Sequence, residues 1–153
     1  MKNKTAKDIM TMDVIVANKS DSIADVAQLL MKEKIGGVPV VSEDREVVGI
    51  ISETDIMKKE KYVEAPQVLN LLQGLIFLSD FKQMEKDMKR VAAYKVEELM
   101  STDIITVHEN DTFDDVANVM IKKSVNRVPV VDNDNKLKGI ICRYDIIRAM
   151  YNE

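Results

Sequence analysis

The sequence predicts an α+β protein built from two tandem β-α-β-β-α repeats, and three observations carry that prediction. Residues 6 to 58 and 96 to 148 align at a constant offset of 90 without a gap: Met10 matches Met100, Asp25-Val26-Ala27 matches Asp115-Val116-Ala117, and Val38-Pro39-Val40-Val41 matches Val128-Pro129-Val130-Val131. Within each copy, short β-branched runs alternate with stretches of helical period, which orders the elements strand, helix, strand, strand, helix. Each copy closes on one motif, Gly49-Ile50-Ile51-Ser52-Glu53-Thr54-Asp55 and Gly139-Ile140-Ile141-Cys142-Arg143-Tyr144-Asp145, where a strand-like run meets polar and acidic residues at the mouth of a helix.

Each copy opens with a short segment ending in methionine, Asp8-Ile9-Met10 or Glu98-Leu99-Met100, followed by an apolar run, Val14 to Val16 or Ile104 to Val107, that reads as a strand. A helix comes next. Ser22 and Asp25 have capping-box spacing, Ile23, Val26, Ala27 and Leu30 form one apolar face, and Gly36 can end the helix. The second copy offers Thr112 and Asp115, then Phe113, Val116, Ala117 and Met120. Val38 to Val41 and Val128 to Val131 are strands whose prolines, lacking an N–H, point to an edge or opening position. Turn residues at 42 to 45 and 132 to 135 then reverse the chain. Val47 to Ile51 and Leu137 to Ile141 return antiparallel, and closing helices start near Thr54 and Tyr144.

The resulting division is residues 6–58 for the first repeat, 59–95 for a helical connector and 96–150 for the second repeat. In the connector Pro66 breaks any helix leaving the first repeat, and Leu69 to Leu78 is strongly apolar. Phe81, Met84, Met88, Val91 and Ala92 mark one face of a helix whose other face is charged. That face packs on its own molecule or is offered to a second chain.

With 153 residues, 46% of them hydrophobic, the chain can bury one core or two small ones, and one compact unit is expected. A net charge of -4 supplies no field to hold nucleic acid, and four tyrosines and three phenylalanines are not clustered for base stacking. Apolar runs such as Leu75 to Leu78 fall far short of the ~20 residues of a membrane span, and Met1 to Lys7 opens no hydrophobic signal segment. No membrane and no nucleic-acid partner is therefore expected. A cytoplasmic address follows, in keeping with a lone cysteine, Cys142, which has no partner for an internal disulfide.

The closing motif carries the chemistry. A strand-to-helix corner suits a phosphorylated sugar, because free N–H groups and the positive helix end face an anion while a carboxylate accepts hydrogen bonds from vicinal hydroxyls. The order of elements, stated twice with glycine, proline and aspartate at matching places, resembles the CBS domain pair, or Bateman module. The resemblance covers both repeats and most of the chain. It implies two CBS repeats packed as one pseudo-twofold module, standing alone without a catalytic domain, transporter or channel.

The resemblance also implies a ligand: an adenosine nucleotide such as AMP, ADP or ATP, or a related adenine compound, held between the repeats, with no resident cofactor or metal. The aspartate that ends the motif would hold the ribose hydroxyls, and the preceding serine or threonine would approach phosphate. One cleft would join Ser52, Thr54 and Asp55 to Thr102, Ile104, Val125, Asn126, Arg127 and Pro129. Here Arg127 stands two residues before the proline, where the fork of a guanidinium can grip phosphate. The other cleft would join Cys142, Tyr144 and Asp145 to Met12, Val14, Ile35, Gly36, Gly37 and Pro39. It is the poorer site, because Cys142 replaces a hydroxyl and Gly37 offers no counterpart to Arg127, although Arg143 could supply a charge.

Each residue also has a plainer role. Asp55 and Asp145 would serve as helix caps, Arg127 as a solvated surface charge, Cys142 as a small packing residue and His108, the single histidine, as an exposed strand end. No histidine–nucleophile pair is evident, so the expected function is a regulatory sensor and not an enzyme. The competing reading is a ligand-free module for dimerisation or for docking on an enzyme or transporter. In either case a homodimer is expected, because CBS-pair proteins commonly dimerise.

Overall fold

A computed structural model of the chain describes residues 4–62 and 94–151. The first copy contains α1 (Ala6–Ile9), β1 (Ala17–Asn18), α2 (Ile23–Glu33), β2 (Gly37–Val41), β3 (Val47–Ser52) and α3 (Glu53–Tyr62). The second contains α4 (Val96–Leu99), β4 (Val107–His108), α5 (Phe113–Lys122), β5 (Arg127–Val131), β6 (Leu137–Cys142) and α6 (Arg143–Tyr151). The expected order is present twice, each time behind one helical turn. The connector features from Pro66 to Ala92 lie outside the described residues.

Two three-stranded sheets form, ordered β1-β2-β3 and β4-β5-β6. In the second, β4 pairs parallel with β5 through Val107↔Val130 and His108↔Val131, and β6 pairs antiparallel from Arg127↔Cys142 to Val131↔Leu137. The proline strands are therefore central, with each proline at the third of five residues, which corrects the expected edge or opening position. The reason is local. Ile140 exchanges both backbone hydrogen bonds with Thr11, at 2.9 Å each, so the Pro129–Ile140 pair exchanges none, and the imide nitrogen faces the flank that β4 reaches only at Val130.

A second correction concerns the opening strands. They start at Ala17 and Val107, just beyond the end of the first apolar run and on the last residue of the second. Val14, Val16 and Ile104 instead pack against a cluster of Val41, Val47, Val131 and Leu137. Their hydrophobicity serves burial and not strand pairing. A third concerns the end of α2. The left-handed residue is Lys34 at φ 54°, two residues before Gly36, and Ser124 takes the same conformation after α5. Ile35 N–H and Val125 N–H close the two helix ends onto the Leu30 and Met120 carbonyls, at 3.0 and 3.1 Å.

The described residues group into two compact units drawn from both copies: 4–16, 41–49 and 102–151 in the first, and 17–40, 50–62 and 94–101 in the second. Each lead segment thus belongs with the other copy's helices. In the first unit Ala6 N–H donates to Asp111 O at 2.8 Å and Phe113 N–H to Lys4 O at 2.9 Å. Ala6 and Ile9 enter a core with Val107, Phe113, Val116, Met120, Val128, Val130 and Ile141. In the second unit Ile23 N–H donates to Tyr94 O at 2.8 Å, and Ile50 and Ser101 exchange hydrogen bonds of 3.0 and 2.9 Å. Ile23, Val26, Leu30, Val38, Val40, Ile51 and Val96 are buried there. The lead segments cover the outer edges of β6 and β3, which would otherwise present unpaired backbone groups.

The hairpin tips also meet inside the first unit. Leu137 N–H donates to Arg45 O at 3.0 Å and Val47 N–H to Asn135 O at 3.1 Å. Arg45 and Asn135 occupy equivalent left-handed turn positions, at φ 63° and 60°. This reciprocal contact repeats the internal twofold of the sequence in the backbone itself.

Candidate functional site

The two closing motifs sit where β3 runs into α3 and β6 into α6, each helix starting one residue earlier than expected. Strand burial holds the corner in place: Ile51 and Ile141 are fully buried, and the polar residues that follow are turned toward solvent or the helix end.

At the first corner Ser52 N–H donates to Asp55 Oδ2 at 2.9 Å and Ser52 Oγ donates to the same oxygen at 2.8 Å. Asp55 N–H in turn approaches Ser52 Oγ at 3.4 Å. This is a capping box, so the plainer role foreseen for Asp55 is real. It uses only one carboxylate oxygen. Oδ1 has no partner among the described residues, the carboxylate is half-buried, and Thr54 beside it is exposed. A carboxylate aimed by its own cap, with one oxygen left over, suits a ligand that brings hydroxyl donors. Gly36 is fixed at this corner by its carbonyl, which accepts from Glu53 N–H at 3.0 Å, while Gly37 and Pro39 are buried in β2 and Ile35 is half-buried.

The second corner keeps two backbone contacts of the first and differs in its side-chain contacts. Cys142 N–H donates to Asp145 Oδ2 at 2.8 Å, as Ser52 does in its copy. No hydroxyl joins it, and Arg148 Nη2 donates to Asp145 Oδ1 at 2.9 Å. Asp145 is 7% exposed, the one buried charged residue among those described. Arg143, proposed from sequence as the missing charge, is exposed and meets the corner by its backbone, N–H to Asn126 O at 3.1 Å. Arg148 went unnoticed in the sequence, although a basic residue three positions after an acid on a helix is a legible pair.

Arg127 opens β5 directly across from Cys142. Burial pushes the Cys142 thiol above its ordinary range, Asp145 adds to the rise, and Arg127 opposes both. The thiol is neutral at pH 7 and packs as expected. Arg127 forms no ion pair among the described residues. Asn126 and Thr102 are exposed, Val125, Val14 and Ile104 are half-buried, Pro129 is buried, and Met12 and Tyr144 stand largely in solvent at 71% each. His108 is the exposed strand residue it was expected to be. No group of His, Cys, Asp or Glu among the described residues is arranged to hold a metal ion, and none of the described helices is long and apolar enough to cross a membrane.

Comparison with known proteins agrees with this architecture. An uncharacterised protein of Methanocaldococcus jannaschii is 35% identical over 151 residues, covering 94% of this chain and 89% of its own length. The crystal structure of CBSX2, an Arabidopsis thaliana protein, in complex with AMP superposes with a TM-score of 0.73 at 27% identity, covering 97% of this chain and 96% of that one. The CBS domain pair of protein MJ0100, solved with 5′-methylthioadenosine and S-adenosyl-L-methionine, gives a TM-score of 0.69 at 31% identity, covering 96% and 95%. The family model for the CBS domain matches residues 6–62 and 96–152, so both sequence repeats are CBS domains and the chain belongs to the CBS family as a tandem pair.

Proposed function

We propose that this CBS pair is a regulatory module that binds an adenosine nucleotide or a related adenine ligand between its two repeats, and that it senses the ligand instead of transforming it. The observation that carries the reading is the Asp55 corner, whose carboxylate is oriented by Ser52 through one oxygen and has no partner at the other among the described residues. Asp55 holds the ribose hydroxyls and Ser52 with Thr54 lies toward the phosphate. By family resemblance, Thr102, Ile104, Val125, Asn126 and Pro129 would line the other side of the ligand, and Arg127, across from Cys142 at the second corner, would supply the cation. The adenine ligands of CBSX2 and of the MJ0100 pair support the ligand class. A thermal-shift panel of AMP, ADP, ATP, adenosine, cyclic dinucleotides and S-adenosylmethionine is the test, because a ligand bound only by the native state raises its stability. A panel without a shift counts against the reading.

A charged contact through a half-exposed Arg127 is screened by salt. AMP or ATP affinity is expected to fall modestly as salt rises, while adenosine affinity stays nearly level, measured by titration calorimetry at low and physiological ionic strength. Equal low-salt affinities for adenosine and ATP would remove Arg127 from the phosphate.

The homodimer belongs to this proposal too. Tyr144, Ile147 and Tyr151 fall at i, i+3 and i+7 on α6 and are 71, 53 and 79% exposed, an apolar strip suited to a second copy. The same strip is what favours the alternative of a ligand-free docking module. Sedimentation at tens of micromolar is expected to give a dimer that Ile147→Glu with Tyr151→Glu weakens. A wild-type monomer would leave the strip to another partner.

A further inference from the structure

We propose that Arg148 is a latch on the second corner, closing Asp145 to a ribose and making the two CBS repeats unequal in ligand binding. The proposal rests on the adenine reading above and concerns which of the two corners is open. Asp145 has both oxygens occupied, Oδ2 by Cys142 N–H at 2.8 Å and Oδ1 by Arg148 Nη2 at 2.9 Å. Asp55 receives the matching backbone N–H on Oδ2 and nothing on Oδ1 among the described residues. The residue in register with Arg148 is Lys58, also three positions beyond its aspartate, and it is exposed without an ion pair among the described residues.

The difference is chemical. A guanidinium places a planar fork of donors against a carboxylate, whereas an ammonium on a flexible stem stays in water at little cost. A ribose diol approaching Asp145 must compete with a charge-assisted hydrogen bond at the oxygen it needs. The latch can open, because the Arg148 side chain is 49% exposed and lies beside a surface depression of about 230 Å³ that it lines with Lys4, Asp8, Ile9, Asp145 and Ala149. It is a barrier to binding and not a permanent block.

The test is titration calorimetry with AMP and adenosine on the full chain. The wild type is expected to show one strong and one weak event per chain. Arg148→Met keeps a flexible unbranched stem and removes the donors, and is expected to tighten the weak event about tenfold or more. Adenosine should show the same gain, since it has the diol and no phosphate for the arginine to meet. The reciprocal variant, Lys58→Arg, builds the pair on Asp55 and is expected to weaken the strong event by a similar factor. It also serves if Arg148→Met does not fold. AMP binding that depends on Asp55 but is unchanged in both variants would overturn the latch alone. No AMP or adenosine binding in any variant would overturn the adenine reading and the latch with it.

Discussion

Asp55→Ala is expected to weaken AMP binding about ten- to a hundredfold, since it removes charge-assisted hydrogen bonds of ~1.5 to 3 kcal/mol from the ribose. The fold should persist. The variant also removes the acceptor for Ser52 N–H and Oγ, a capping-box contact whose loss costs ~0.5 to 2 kcal/mol at a half-buried helix start. Asp145→Ala should show the opposite balance. It affects binding less, because Arg148 already occupies the oxygen a ribose would use, and stability more, because the carboxylate is 7% exposed and its loss strands Cys142 N–H. Calorimetry with AMP and a thermal melt of each variant separate the two effects. Equal binding losses would mean two equivalent corners. No loss in either variant, with tight wild-type binding, would place the ligand away from both aspartates.

The repeats were legible because they are written in the sequence twice. Ser22 with Asp25 and Thr112 with Asp115 named two helix starts, and the structure forms the cap at each, with side-chain distances of 2.7 and 2.6 Å. What the sequence hid was the exchange of lead segments. Ala6 and Ile9 lie close in sequence to α2 but are buried with Phe113 and Val116, and no local propensity encodes which of two similar cores receives them. The proline strands misled for a related reason. Proline forbids a donor on one flank only, and the Thr11–Ile140 bridge that makes Pro129 harmless joins residues far apart in the chain. At the candidate site, the closing motif singles out Asp55 and Asp145. Their difference is only half legible in the sequence: Cys142 and Gly37 show it, while the pairing of Arg148 depends on a rotamer.

Gly139→Ala is expected to destabilise the protein by ~1 to 3 kcal/mol, for a reason that separates the two roles of the closing motif. Its glycine invites a ligand-based explanation, since backbones approach phosphates closely only without a side chain. The structure gives another. A Cβ at Gly139 would lie 2.7 Å from Met10 Cγ, 3.0 Å from Met10 Cβ and against Met10 Sδ. Met10 is pressed there by the adjoining Thr11–Ile140 bridge, and it packs on the core that holds Ala6 and Ile9. The glycine therefore receives the lead segment, which runs on toward Met12 and Val14. At roughly 2 to 4 °C per kcal/mol for a chain of this size, the melting temperature should fall by several degrees. Met10 is flexible at its far end, but its Cβ is tied to a backbone fixed by two hydrogen bonds of 2.9 Å, so retreat of the sulfur alone does not relieve the clash. Met10→Ala removes Cγ and Sδ, and the double variant Met10→Ala with Gly139→Ala should be more stable than the sum of the single losses predicts. Strict additivity would show that Met10 does not hold position 139 to glycine. A melting temperature for Gly139→Ala equal to the wild type, with AMP affinity lost, would return the glycine to the ligand.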